Sequence, residues 1–206
     1  MIFLKFAYYM GQVSEKQRVR RFNLLIVKHH MPSSLAPPGF ESHTGPIAIT
    51  NAGLVLAAPF LQRLWSQLGL FDGISFANES AGKRAVQLMQ FLVVGTTQVS
   101  ESILILNKLM CGLPFDASID TLPDISASEK EIIEGLLNAM ISNWPAMGHT
   151  SIAVIRESFL QRDGRLVQTD SGWSLNVEPR SIDVLLSQFS LIKLPWMKDM
   201  IHVSWA

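Results

Sequence analysis

The stretch Arg84–Pro114, RAVQLMQFLVVGTTQVSESILILNKLMCGLP, sets the fold of this chain. Its spacing predicts two helices joined at Gly95. Each is apolar almost all round, and its only charges are Arg84, Glu101 and Lys108. A helix of that kind is buried, so the pair predicts the centre of a helical core.

Helices of the same kind flank it. Asn51 stands where it would cap a helix over Ala52–Leu70, whose apolar residues Leu54, Val55, Ala58, Leu61, Leu64, Trp65 and Leu68 keep helical spacing. Pro59 should kink or divide that helix near Ala57–Pro59. Ser126-Ala-Ser-Glu129 has capping-box spacing. It starts a helix with Ile132, Ile133, Leu136, Leu137, Met140, Ile141 and Trp144 on one stripe. Thr150 or Ser151 caps a further helix, Ile152 to Arg162. Beyond Asp163-Gly164 the period shortens. Arg165–Thr169 and Trp173–Val177 predict a hairpin turning through Asp170-Ser171-Gly172. A short helix at Ser181–Gln188 follows. The alternating segment Met200–Trp205 predicts a strand that pairs with the hairpin. The expected class is mainly α with a small C-terminal antiparallel β-sheet, an α+β fold around a compact helical bundle core. Residues 1–46, with Pro32, Pro37, Pro38 and Pro46, predict a poorly structured segment or linker. Residues 47–206 form the folded domain.

Composition narrows the function. Of 206 residues, 48% are hydrophobic and 17% charged, and 17 basic residues balance 17 acidic ones. So little charge suggests partner-covered surfaces, with self-association as one option. A balanced charge gives no general attraction to nucleic acid. The basic cluster Lys16, Arg18, Arg20 and Arg21 reads as a solvated face. The single cysteine, Cys111, excludes a disulfide framework. Polar residues interrupt Ala85–Cys111, which argues against stable insertion of that stretch in a membrane.

A search for chemistry returns little. The chain has no nucleophile elbow, P-loop, zinc-binding helix or dinucleotide fingerprint, and so implies no cofactor. Cys111 and His149 could make a thiol–imidazole pair, but a cysteine ending an apolar helix is ordinarily a buried, inert thiol. Glu101 needs a partner if buried, and Arg84 can supply one. Arg156, Arg162 and Asp183 read as supports for turns and strand edges. Trp144, Trp173, Trp196 and Trp205 read as core or rim aromatics, or as anchors for a protein partner. A small-molecule-binding or hydrolytic domain using Glu101, Arg84, Cys111 or His149 remains the alternative, and a membrane-associated hairpin the third.

Four stretches carry a resemblance. They are NAGLVLAAPFLQRLWSQLGLF (Asn51–Phe71), RAVQLMQFLVVG with ESILILNKLMCGLP, WPAMGHTSIAVIRESFLQRDGRL (Trp144–Leu166), and GWSLNVEPRSIDVLL with LPWM and IHVSW. Their order and wording resemble the C-terminal region of tape measure proteins of contractile injection systems, the phage-tail-like particles of the antifeeding-prophage type. The resemblance runs from Ile47 onward. It implies a non-enzymatic structural role that contributes to assembly or tube-length control, in the bacterial cytoplasm during assembly and then inside the finished particle. It implies inner tube, hub or spike and baseplate proteins as partners. Asn51, Arg84, Glu101, Asn107, Arg156, Arg162 and Trp196 match its pattern as structural or partner-binding residues. Members of that family are usually longer ahead of this region. The 46 residues here would reach roughly 70 Å even as one helix. The chain is therefore expected to be no long ruler itself, but a fragment, a short member or a docking module.

Overall fold

The computed structural model describes residues 45–96, 103–120, 124–144, 150–186 and 190–205. These residues lie in one unit, Gly39–Ala206. The fold is α+β, with a helical core and a five-stranded, mostly antiparallel sheet.

The chain enters as a short strand, β1 (Ile47–Ile49). A fully buried 3-10 helix, Ala52–Ala57, follows and passes directly into α1 (Ala58–Gln67). Pro59 explains the change of geometry. It has no N–H to give, so it sits in the first turn of α1, where helical N–H groups lack partners anyway. The expected division at Ala57–Pro59 is the one found. Next, α2 (Glu79–Val94) is capped by Asn78, whose side chain accepts from the Ala81 N–H at 2.8 Å. From Ala85 to Val93 every residue of α2 is buried, including Gln87 and Gln90. It ends at Gly95, in the left-handed conformation that glycine tolerates best. Its partner α3 is shorter than the sequence suggests and covers Ile105–Met110.

The Ser126–Glu129 capping box forms and opens α4 (Ala127–Asn143), which buries Ile133, Leu136, Leu137 and Met140. The expected helix at Ile152–Arg162 takes a different form. Ser151 caps three α residues, α5 (Ile152–Val154), and the chain then widens into a π turn over Ile155–Leu160. The widening is direct in the bonding: the Gln161 N–H reaches the Arg156 carbonyl, five residues back, at 2.8 Å.

The hairpin forms as read, from β2 (Gly164–Thr169) and β3 (Gly172–Val177). A 3-10 turn covers Ser181–Leu185. Then come β4 (Leu191–Ile192) and β5 (Ile201–Ser204). The sheet order is β1-β2-β3-β5-β4. The last strand does pair with the hairpin, but parallel to β3, with Trp173 opposite Ile201 and Leu175 opposite Val203. Parallel pairing needs a long crossover. The chain from Glu178 to Met200 supplies it and adds β4 antiparallel to β5 at the edge. On the inner face Leu166, Trp173, Leu175, Val177, Ile192, Ile201 and Val203 are buried in the same apolar cluster as α1, α2 and α4. Arg165, Asn176 and His202 alternate with them and are exposed. The expectation for residues 1–46 falls almost wholly outside the described residues.

Candidate functional site

Of the seven residues singled out by the resemblance, the six among the described residues lie at joints between elements. Asn51 was expected to cap a helix, and it does not. At φ −127° and ψ 33° its backbone leads into the 3-10 helix without a side-chain cap. The amide turns inward instead. Its Nδ2 donates to Asn107 Oδ1 at 2.7 Å and to Gln90 Oε1 at 3.2 Å. Asn107 Nδ2 donates in turn to Gln90 Oε1 and to the Val86 carbonyl, both at 3.2 Å. This buried amide cluster ties the start of the 3-10 helix to α2 and α3. A buried amide without partners is costly, so the three select one register among these elements.

Arg84, in α2, reaches α4. Its Nε and Nη2 hold Glu129 at 2.9 and 2.8 Å in a two-pronged contact. It also donates to Gln87 Oε1 at 3.2 Å and to the Asp124 carbonyl at 3.3 Å. Glu129 thus serves twice, since Oε2 also accepts from the Ser126 N–H and hydroxyl. Partial burial works against the Glu129 charge. The Arg84 and Ser126 hydrogen bonds outweigh it and hold the carboxyl below its ordinary range. Glu101, the partner suggested by the sequence, lies outside the described residues, as does His149.

Arg156 and Gln161 meet the other end of α2. Arg156 Nε donates to the Leu92 carbonyl at 3.0 Å and Nη2 to that of Phe91 at 3.5 Å. Its guanidinium lies 5.6 Å from the Phe91 ring centre. Gln161 Nε2 donates to the Val93 carbonyl at 3.1 Å. Carbonyls at a helix C-terminus lack intrahelical donors and carry the negative end of the dipole, so a cation there is favourable. Burial lowers the Arg156 pKa, and the charge of Glu134 opposes that shift.

Arg162 is fully buried and binds Asp183 with two contacts of 2.8 Å. Its Nη2 also donates to the Glu178 carbonyl at 2.6 Å. The Arg180 N–H donates to Asp183 Oδ2 at 2.7 Å. Burial alone would raise the Asp183 pKa. The bonds from Arg162 and the Arg180 N–H prevail and hold it low. The pair fastens the turn after β3 to the end of the π turn.

Trp196 is half-buried and faces inward. Its Nε1 donates to the Met110 carbonyl at 2.8 Å, closing α3. Its ring packs edge-on against Phe71 at 4.9 Å and Phe76 at 5.5 Å. Lys108 is another joint, buried with Nζ donating to the Phe115 carbonyl at 2.9 Å.

Little in the sequence points to Gln87, Gln90, Gln161 and Glu129 as partners. The one usable signal was polar side chains inside an otherwise apolar helix, at Gln87 and Gln90. Asn51 Oδ1, Trp65 Nε1 and Arg162 Nε have no hydrogen-bond partner among the described residues. Each such buried atom costs about 1–3 kcal/mol, so these joints fix geometry more than they add net stability.

Cys111 is buried with Sγ 3.4 Å from Met89 Sδ, and burial pushes its thiol pKa up, away from the reactive thiolate. Among the described residues, no group of three or more His, Cys, Asp or Glu side chains could hold a metal. Among the same residues, no helix is long and apolar enough to cross a membrane.

No curated protein and no solved structure matches the chain. A family model described as contractile injection system tape measure protein matches residues 13–205, beginning well before Ile47. The chain therefore belongs to the contractile injection system tape measure protein family, whose members are structural components of a phage-tail-like particle.

Proposed function

We propose that residues 47–206 are a non-enzymatic docking module of the particle. It binds the inner tube, the hub or the spike and baseplate proteins while the particle assembles in the bacterial cytoplasm, and it stays inside the finished particle. One observation carries this reading. Asn51, Arg84, Asn107, Arg156, Arg162 and Trp196, six of the seven residues matching the family pattern, direct polar atoms to internal partners. Residues used to brace a fold fit a rigid part whose outer surface meets other proteins. They do not fit a catalytic pocket, where polar groups converge on open space. The same residues would then act on partner binding only indirectly, by keeping the surface in shape.

The test is capture of the full chain by tube, hub and spike proteins encoded beside it, each co-expressed singly. Retention of one of them through size-exclusion chromatography is the expected result. A folded chain that retains none refutes the docking role.

A further inference from the structure

The π turn at Ile155–Leu160 has a consequence for the end of α2. Arg156 and Gln161 are five residues apart. In an α-helix they would point about 140° away from each other around the axis. In a turn closed by five-residue bonding the same pair lies within about 50°. That closure is the Gln161 N–H to Arg156 carbonyl bond at 2.8 Å. Both side chains therefore reach one target, the carbonyls of Phe91, Leu92 and Val93. The target is also close-fitting. A Cβ on Gly95 would stand 2.7 Å from Arg156 Nη1. Ile155 and Phe159 anchor the turn in the core, while Glu157 is exposed and serves as the extra residue.

We propose that the π turn is a one-residue register device. It forms a two-pronged latch on the C-terminus of α2, and the latch opens as a unit, by rewinding toward α geometry, while the rest of the core stays folded. A rewound turn can present only one of the two prongs to α2. The last turn of α2, closed by the Gly95 N–H to Phe91 carbonyl bond at 2.8 Å, then loses its cover. This inference is independent of which partner the module binds.

Native-state hydrogen exchange of the full chain tests it. The amides of Gly95 and Gln161 should share one opening, and it should be faster than that of Leu88 or Ile133 in the core. Gln161→Ala should speed Gly95 exchange roughly fivefold, the factor set by losing one hydrogen bond, with Ile133 and Leu166 unchanged. Deleting the exposed Glu157 sets Arg156 and Gln161 four residues apart, within about 40° in an α-helix, so both prongs should stay on α2 and Gly95 protection should hold, and Glu157→Ala should match the wild type. If the deletion variant does not fold, Gln161→Ala and Arg156→Lys decide. The proposal is overturned if Gly95 and Gln161 exchange only through global unfolding, or if Gly95 protection is indifferent to Gln161→Ala.

Discussion

Replacing Gly53 by alanine should cost this small domain a large part of its stability. Gly53 lies in the buried 3-10 helix where it crosses the π turn. A Cβ built there would sit 1.7 Å from the Phe159 carbonyl oxygen, 2.7 Å from its carbon and 2.8 Å from the Leu160 Cα. Real Cβ contacts essentially never fall under 3.0 Å, so the two segments must part by about 1.3 Å. All three obstructing atoms are backbone, and no rotamer change relieves them. Parting the segments also stretches the Ala52 N–H to Arg162 carbonyl bond, now 2.8 Å, beyond bonding distance. Overpacking costs about 1–3 kcal/mol and the lost bond about 1 kcal/mol, which together give about 3 kcal/mol. For a domain of this size that lowers Tm by about 6–12 °C. Gly135 is the control. It is exposed in the middle of α4, with nothing within 4 Å of an added Cβ. Gly135→Ala should therefore stabilise by about 0.5–1 kcal/mol through helix propensity alone. Circular dichroism melts of both variants read the difference. A Gly53→Ala variant melting within 2 °C of wild type would refute the close crossing of the two helical segments.

Asp183→Asn should destabilise by about 3–5 kcal/mol near neutral pH, because it leaves Arg162 buried beside a neutral group. The folded Asp183 pKa is depressed, so its contribution is present above the unfolded value of 3.8 and lost as pH falls through the lower folded value. The gap between wild type and variant in urea melts should accordingly close below about pH 4. Glu129→Gln keeps an acceptor for the Ser126 cap but loses the charge facing Arg84, and should cost about 1–2 kcal/mol by the same assay. Trp196→Phe, which retains most of the ring packing but not the bond to Met110, should cost about 1 kcal/mol. Cys111 should resist a water-soluble thiol reagent in the folded chain and react promptly in urea. Rapid labelling without denaturant would contradict its burial.

The helical punctuation was legible because its signals are local. Pro59 divides a helix by its missing N–H, Ser126 and Glu129 cap each other across three residues, and Ser151 caps the next helix in the same way. The hairpin at Asp170–Gly172 has equally local chemistry. What escaped depends on distant residues. Ile47–Ile49 and Leu191–Ile192 are too short to show alternation, and they are strands because β2 and β5 offer them edges. The parallel setting of β5 on β3 is decided by a crossover that no periodicity encodes. The π turn has no sequence signature, since IRESFL fits an α-helix equally well. The six motif residues among those described lie at internal joints, but their partners are too distant in sequence to be named from it. Asn51 had an expected local bond and found a distant one. Arg84 pairs with Glu129, which by local spacing alone shows only as a cap residue.

As a member of this family, the chain should be a structural part of the particle. Quantitative mass spectrometry of particles assembled from the neighbouring genes, purified with this chain present, checks that role. A fixed copy number of the chain per particle is expected, with failed or misassembled particles when its gene is removed. Particles that form normally without it, and from which it is absent when expressed, would rule out a structural role in the particle.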